Sequence, residues 1–154
     1  MMFRNILVAV DGSQAADEAL ADAIELARRT RGRLTLISVG VPPRLIGGPS
    51  FVPYPTDDEL ERLAEEVLDR AAALVPENVP VSTVARVGQV SAEILARVEN
   101  GEHDVVVMGS RGLGRAGSFL LGSTSAALLA RSSVPVLIHP ARAGLTNEPA
   151  EAVA

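Results

Sequence analysis

The chain has 154 residues, 47% of them hydrophobic and only 3% aromatic, with a formal net charge of −5. That length favours a single domain with its own core, and the acidic, aromatic-poor composition lacks both the basic footprint and the stacking platforms of a nucleic-acid binder. Cysteine and lysine are absent and all 14 basic residues are arginine, which excludes thiol catalysis, Cys-ligated zinc, disulfides, Schiff-base chemistry and a lysine-dependent phosphate loop.

The first apolar run, Ile6 to Val10, does not alternate and is ended by Asp11-Gly12. It predicts a strand buried on both faces. It is too short for a signal peptide, and no apolar stretch approaches the ~18 residues of a membrane span; a cytoplasmic protein is expected. Helix signals start at Ser13. Leu20, Ile24 and Ala27 form one stripe, Arg28, Arg29 and Arg31 suit the negative end of the helix dipole, and Gly32 is the expected stop. A second strand covers Leu34 to Val39. The segment from Gly40 to Pro55 holds five prolines and three glycines and reads as a loop.

Thr56 and Glu59 have the spacing of a capping box. Leu60, Leu63, Val67, Leu68 and Leu74 mark the helix that follows, with Pro76 as its expected end. Val81 to Val87 predicts a third, more alternating strand nearer a sheet edge. Ser91 is placed to cap a helix carrying Ile94, Leu95 and Val98. The fourth strand is Val105 to Met108, a short helix is expected around Ser125 to Arg131, and the fifth strand is Pro135 to Ile138. Residues 1–140 are read as one domain and 141–154 as a frayed tail. No internal repeat is found.

Strands alternate with helices throughout. This predicts an α/β fold, an open parallel sheet with right-handed crossovers and helices on both faces. Ligands of such sheets bind beyond the carboxyl ends of the strands, where the strand order reverses. Asp11, Val39-Gly40, Val87-Gly88 and the segment from Gly109 onward are therefore the positions of interest.

Residues 109–123 read Gly-Ser-Arg-Gly-Leu-Gly-Arg-Ala-Gly-Ser-Phe-Leu-Leu-Gly-Ser. The segment leaves a buried strand and enters a helix. Glycines let a backbone turn and approach a ligand closely, and a helix start offers N–H donors and a positive dipole end to phosphate. Arg111 and Arg115 can add charge and Ser123 a hydroxyl. Gly112 to Gly117 also matches the dinucleotide fingerprint literally. The context is wrong, because that motif follows a first strand and needs a carboxylate ~20 positions on; the first one after Gly117 is Glu148.

Gly109, Gly112, Gly122 and Ser123 fit G-x2-G-x9-G-[ST]. This pattern, with the opening Ile6 to Ser13, the stretch Val106 to Gly112 and the closing Val134 to Leu137, resembles the ATP-binding branch of the universal stress protein family over roughly residues 3–140. The resemblance implies a five-stranded Rossmann-like sheet of order 3-2-1-4-5. It implies that Ala9 and Asp11 hold the ribose or adenine side, that Val39 lies against adenine, and that Met108 and Gly109 border sugar and phosphates. Gly112, Gly122, Ser123 and Thr124 would hold the phosphates, with Thr124 departing from the Val expected there. It also implies a homodimer through the strand Val134–His139, an apolar edge of the kind that pairs with another chain.

The leading expectation is thus an ATP-binding, stress-responsive regulator, with Mg2+ arriving on the nucleotide. Its nucleotide state would set a surface that an as yet unknown protein partner reads. No nucleophile–base pair is evident. One alternative is a slow ATPase or phosphotransferase, with Asp11 orienting water or metal and Ser110, Ser118 or Ser123 accepting a phosphoryl group. The other is a nucleotide-free dimeric interaction module. His103 reads as a solvated turn residue and His139 as structural or interfacial; two isolated histidines make no metal site.

Overall fold

The computed structural model describes residues 2–46, 53–110 and 121–140. Five parallel strands form one sheet of order β3-β2-β1-β4-β5: β1 (Asn5–Ala9), β2 (Arg33–Gly40), β3 (Val81–Val87), β4 (Val105–Gly109) and β5 (Val136–His139). This is the predicted fold class and strand order. Successive side chains of a strand point to opposite faces, so β1 feeds two cores. Ile6 and Val8 join Ala19, Leu20, Ala23 and Leu68 on one face, whereas Leu7 joins Ile94, Leu95, Val98 and Leu128 on the other. The central β1 triplet Ile6-Leu7-Val8 is 0% exposed, and each such side chain contributes about 1.5–3 kcal/mol of burial.

Helix α1 (Gln14–Thr30) lies on the first face. Ser13 caps it, its Oγ accepting the Ala16 N–H at 3.2 Å. Its stop differs from expectation. Arg31, not Gly32, takes the left-handed turn, at φ 55°. Gly32 serves close approach instead: a β-carbon there would lie 2.7 Å from the Arg4 carbonyl oxygen.

The proline-rich segment read as loop contains a short helix, α2 (Pro43–Ile46), for which Pro43 supplies the pre-set φ of a first helical position. The capping box is formed. The Glu59 N–H reaches Thr56 Oγ1 at 3.3 Å, and the Thr56 N–H donates to Glu59 Oε2 at 2.7 Å. These bonds hold the Glu59 carboxyl below the usual range. It opens α3 (Asp57–Ala72), which also covers the first face and ends before Leu74. Leu63 and Leu74 are exposed, contrary to the expected stripe. The buried row is Leu60, Ala64, Leu68 and Ala71, because Leu63 falls to one side of it at 100° per residue and Leu74 lies past the last turn.

Helices α4 (Val90–Asn100) and α5 (Ser123–Arg131) cover the second face. Ser91 does not cap α4. The cap is Gln89, without a side-chain bond, and Ser91 is buried one residue inside the helix. His103 is not solvated either. It is buried, and its Nδ1 has no hydrogen-bond partner; burial foremost, then the Arg97 charge, holds its pKa below the ordinary 6.5. Asp104 beside it accepts the N–H groups of Arg4 and Asn5 at 2.8 Å each, tying the entry of β4 to that of β1.

Candidate functional site

The strand order reverses at β1, whose neighbours β2 and β4 are reached by connections running opposite ways. A crevice is expected at the carboxyl end of such a strand. The residues arriving there come from three strands and two helix starts.

From β1, Ala9 is half-buried and faces the second core. The chain then turns through Asp11 and Gly12 (φ +82°) into the cap of α1. Asp11 is exposed, and its Oδ1 accepts the Ser13 N–H at 2.9 Å. From β2 comes Val39, half-buried and also on the second face. From β4 comes Met108, on that face as well and 7% exposed. Ala9, Val39 and Met108 therefore form an apolar floor on one side of the sheet, at the ends of three adjacent strands.

Gly109 points the other way. A β-carbon there would sit 3.0 Å from the Ala15 backbone, so the end of β4 is pressed against the first turn of α1. Ser110 follows and is the junction of the site. Its N–H donates to the His139 carbonyl of β5 at 2.9 Å. Its own carbonyl accepts the Gly122 N–H at 3.0 Å and Ser125 Oγ at 3.3 Å. These two bonds bring the start of α5 to the end of β4.

Gly122 is the N-cap of α5, at extended φ −61° and ψ 159°. Ser123 is the first helical residue and is exposed; Thr124 follows, half-buried. The first N–H groups of a helix have no intrahelical acceptor and carry the positive end of its dipole, a suitable arrangement for an anion. Gly112, with Arg111 and Arg115, lies outside the described residues.

Two contributors escaped sequence reasoning. Ser125 is 1% exposed and looks like any small polar helix residue; its only signal is its place in the turn just after the glycine segment. His139 was assigned only a structural or interface role, without partners. Its Nε2 meets Glu18 Oε2 at 2.9 Å and its Nδ1 meets Asp22 Oδ2 at 2.5 Å, both on α1. The signal was the i, i+4 spacing of Glu18 and Asp22, which places both on one helix face.

The model of the universal stress protein family matches residues 2–140. This chain belongs to that family. A universal stress protein of Thermus aquaticus, encoded beside a sulfhydrylase gene, is 38% identical over 139 residues, covering 89% of this chain and 98% of the relative. The crystal structure of a family protein from Burkholderia pseudomallei is 28% identical, covers 91% of this chain and 98% of that one, and superimposes with a TM-score of 0.68. A universal stress protein from Arabidopsis thaliana solved with AMP bound has a TM-score of 0.65 at 19% identity, covering 95% of this chain and 97% of that one. Other structures of this fold hold dAMP, in a protein of Archaeoglobus fulgidus (TM-score 0.64, 19% identity, 90% and 98% covered), and cAMP (0.59, 23%, 90% and 97%). Among the described residues of this universal stress protein, no helix is long and apolar enough to cross a membrane, and no cluster of His, Asp or Glu is arranged to hold a metal ion.

Proposed function

We propose that this universal stress protein binds an adenine nucleotide, ATP foremost, in the crevice at the carboxyl ends of β2, β1 and β4, and that occupancy sets a surface read by a protein partner. The observation that carries this is the pairing of two features on one side of the sheet. The apolar floor of Ala9, Val39 and Met108 suits a flat base, and the start of α5 is pinned beside it through Ser110. Asp11 at the rim is an acceptor for ribose hydroxyls. Gly109 lets β4 pass close to α1, and Gly122, Ser123 and Thr124 offer backbone donors and hydroxyls to phosphate. Gly112 would complete the phosphate side from the segment outside the described residues. The donor set suits a polyphosphate, and Mg2+ would come with it. The bound adenine nucleotides of the fold neighbours support the same class of ligand.

The test is to denature the purified protein and identify the released small molecules by mass spectrometry, followed by calorimetry with ATP, ADP and AMP. Recovered or binding nucleotide is the expected result. An empty protein that ignores all three would overturn the reading and leave an interaction module.

A homodimer through Val134–His139 belongs to the same proposal. Among the described residues strand β5 is bonded only to β4, and Leu137 on it is 39% exposed, which leaves an apolar edge open to pairing. Light scattering at micromolar concentration is expected to give twice the chain mass, and a monomer would count against it.

A further inference from the structure

We propose that nucleotide affinity is linked to the protonation of His139, a positioning residue that acts on the site through the Ser110 peptide; the inference rests on the nucleotide site argued above. His139 is the register partner of Gly109 and ends the edge strand of the sheet. Its ring is bracketed by carboxylates, Asp22 at Nδ1 and Glu18 at Nε2. A neutral imidazole has one N–H and can donate to only one of them, leaving a lone pair against the other's oxygen. The imidazolium donates to both. The geometry is therefore complementary to the charged ring.

No other charged group of the packed elements confronts it in the described residues. Helix α1 contributes Glu18 and Asp22, with Glu18 also accepting from Gln14 Nε2 at 3.1 Å. Strand β4 presents Gly109. In α5 the only charge is Arg131, at the helix end remote from the site. The two carboxylates, the Asp22 hydrogen bond first, raise the pKa of His139 above its ordinary 6.5.

The consequence passes through one peptide. The His139 carbonyl holds the Ser110 N–H, and the Ser110 carbonyl holds Gly122 and Ser125 at the start of α5. Loss of the proton removes one of the two ring bonds to α1. The carboxyl end of β5, which among the described residues has a strand neighbour on one side only, then loses that anchor. The donors at the start of α5 become less well placed, which weakens nucleotide binding as pH rises. By reciprocity, bound nucleotide raises the proton affinity of His139 by the same factor.

The experiment follows the two histidine Cε1–H resonances of the full chain by NMR from pH 5 to 9, with and without saturating AMP. His139→Gln assigns the signals. The expected result is that AMP moves the His139 midpoint upward by at least about twofold in proton affinity, with a matching loss of AMP affinity across the titration. Asp22→Asn, which keeps the imidazole, is expected to shrink both effects, and it serves alone if His139→Gln does not fold. AMP that binds while the His139 midpoint stays fixed or falls would overturn the linkage and leave the site intact. If calorimetry shows no binding of AMP, ADP or ATP at pH 6 or pH 8, the site reading itself falls and the linkage with it.

Discussion

The carbonyl of Ser110 accepts the backbone N–H of Gly122 at 3.0 Å, so a residue leaving the fourth strand is bonded directly to the cap of the last helix. That bond makes Gly122 the natural place to perturb the site without disturbing the sheet. Its dihedrals are extended, which any residue adopts, so Gly122→Leu is expected to fold and to lose about 1 kcal/mol at most from the helix cap. Its side chain would occupy the space where phosphate is proposed to sit. Calorimetry is expected to show at least about a tenfold loss of ATP affinity, equivalent to about 1.4 kcal/mol; unchanged affinity would remove Gly122 from the site.

Gly109 behaves differently because its neighbour is backbone. A β-carbon there would meet the Ala15 carbonyl carbon and oxygen at 3.0 Å, and a helix backbone cannot step aside as a side-chain tip can. Gly109→Ala is expected to destabilise the protein by about 1–3 kcal/mol, as overpacking does, measured by urea denaturation. Wild-type stability in this variant would show that α1 has room to move.

The two histidines are expected to pull stability in opposite directions with pH. His139 has a raised pKa, so its contribution is full below its unfolded value of 6.5 and is lost as pH rises through the raised one. His103 has a lowered pKa, caused first by burial, so its contribution is present above 6.5 and is lost as pH falls toward the lowered one. Together the two contributions therefore peak near pH 6.5. His139→Gln should remove the fall in stability above that pH, and His103→Phe should remove the rise below it. Urea midpoints at pH 5.5, 7 and 8.5 decide this, and parallel profiles for all three proteins would refute it.

Arg31 holds φ 55° without being glycine, a conformation that costs an L-residue about 1–2 kcal/mol. Its side chain is exposed. Arg31→Gly removes the strain but gives the unfolded chain more freedom, so a net gain of about 0.5–1 kcal/mol is expected. A thermal melt that shows no rise would place a compensating contact on the arginine.

The parts of this protein that were legible beforehand are those where burial dictates composition. The uninterrupted Ile6–Val10 run and the valines of β4 read as buried strands, and β3, with its alternation, as one nearer an edge; the full strand order came from the family resemblance. What was not legible depends on angles and distances. Leu63 looks as apolar as Leu60, yet one lies on the buried row of α3 and the other beside it. His103 next to Asp104 resembles a polar turn, but Asp104 is committed to the β1 backbone and His103 is left inside. In the site, glycine spacing marked Gly109 and Gly122 because backbone approach leaves a trace in residue type. Ser125 left none, since a serine bonding across to Ser110 and a serine facing water are spelled alike.

The sheet has two ends, and they are unlike. Strand β5 leaves Leu137 uncovered; β3 leaves Val81 uncovered too, but beside exposed Ser82, Thr83 and Arg86, and the Arg86 guanidinium folds back to donate to the Ala85 carbonyl at 2.8 Å. A ribbon extended strand by strand needs receptive borders on both sides of every unit. Here a copy that pairs through β5 presents its blunted β3 outward, and so does its mate. Under the proposed pairing through β5, assembly by this route would stop at two.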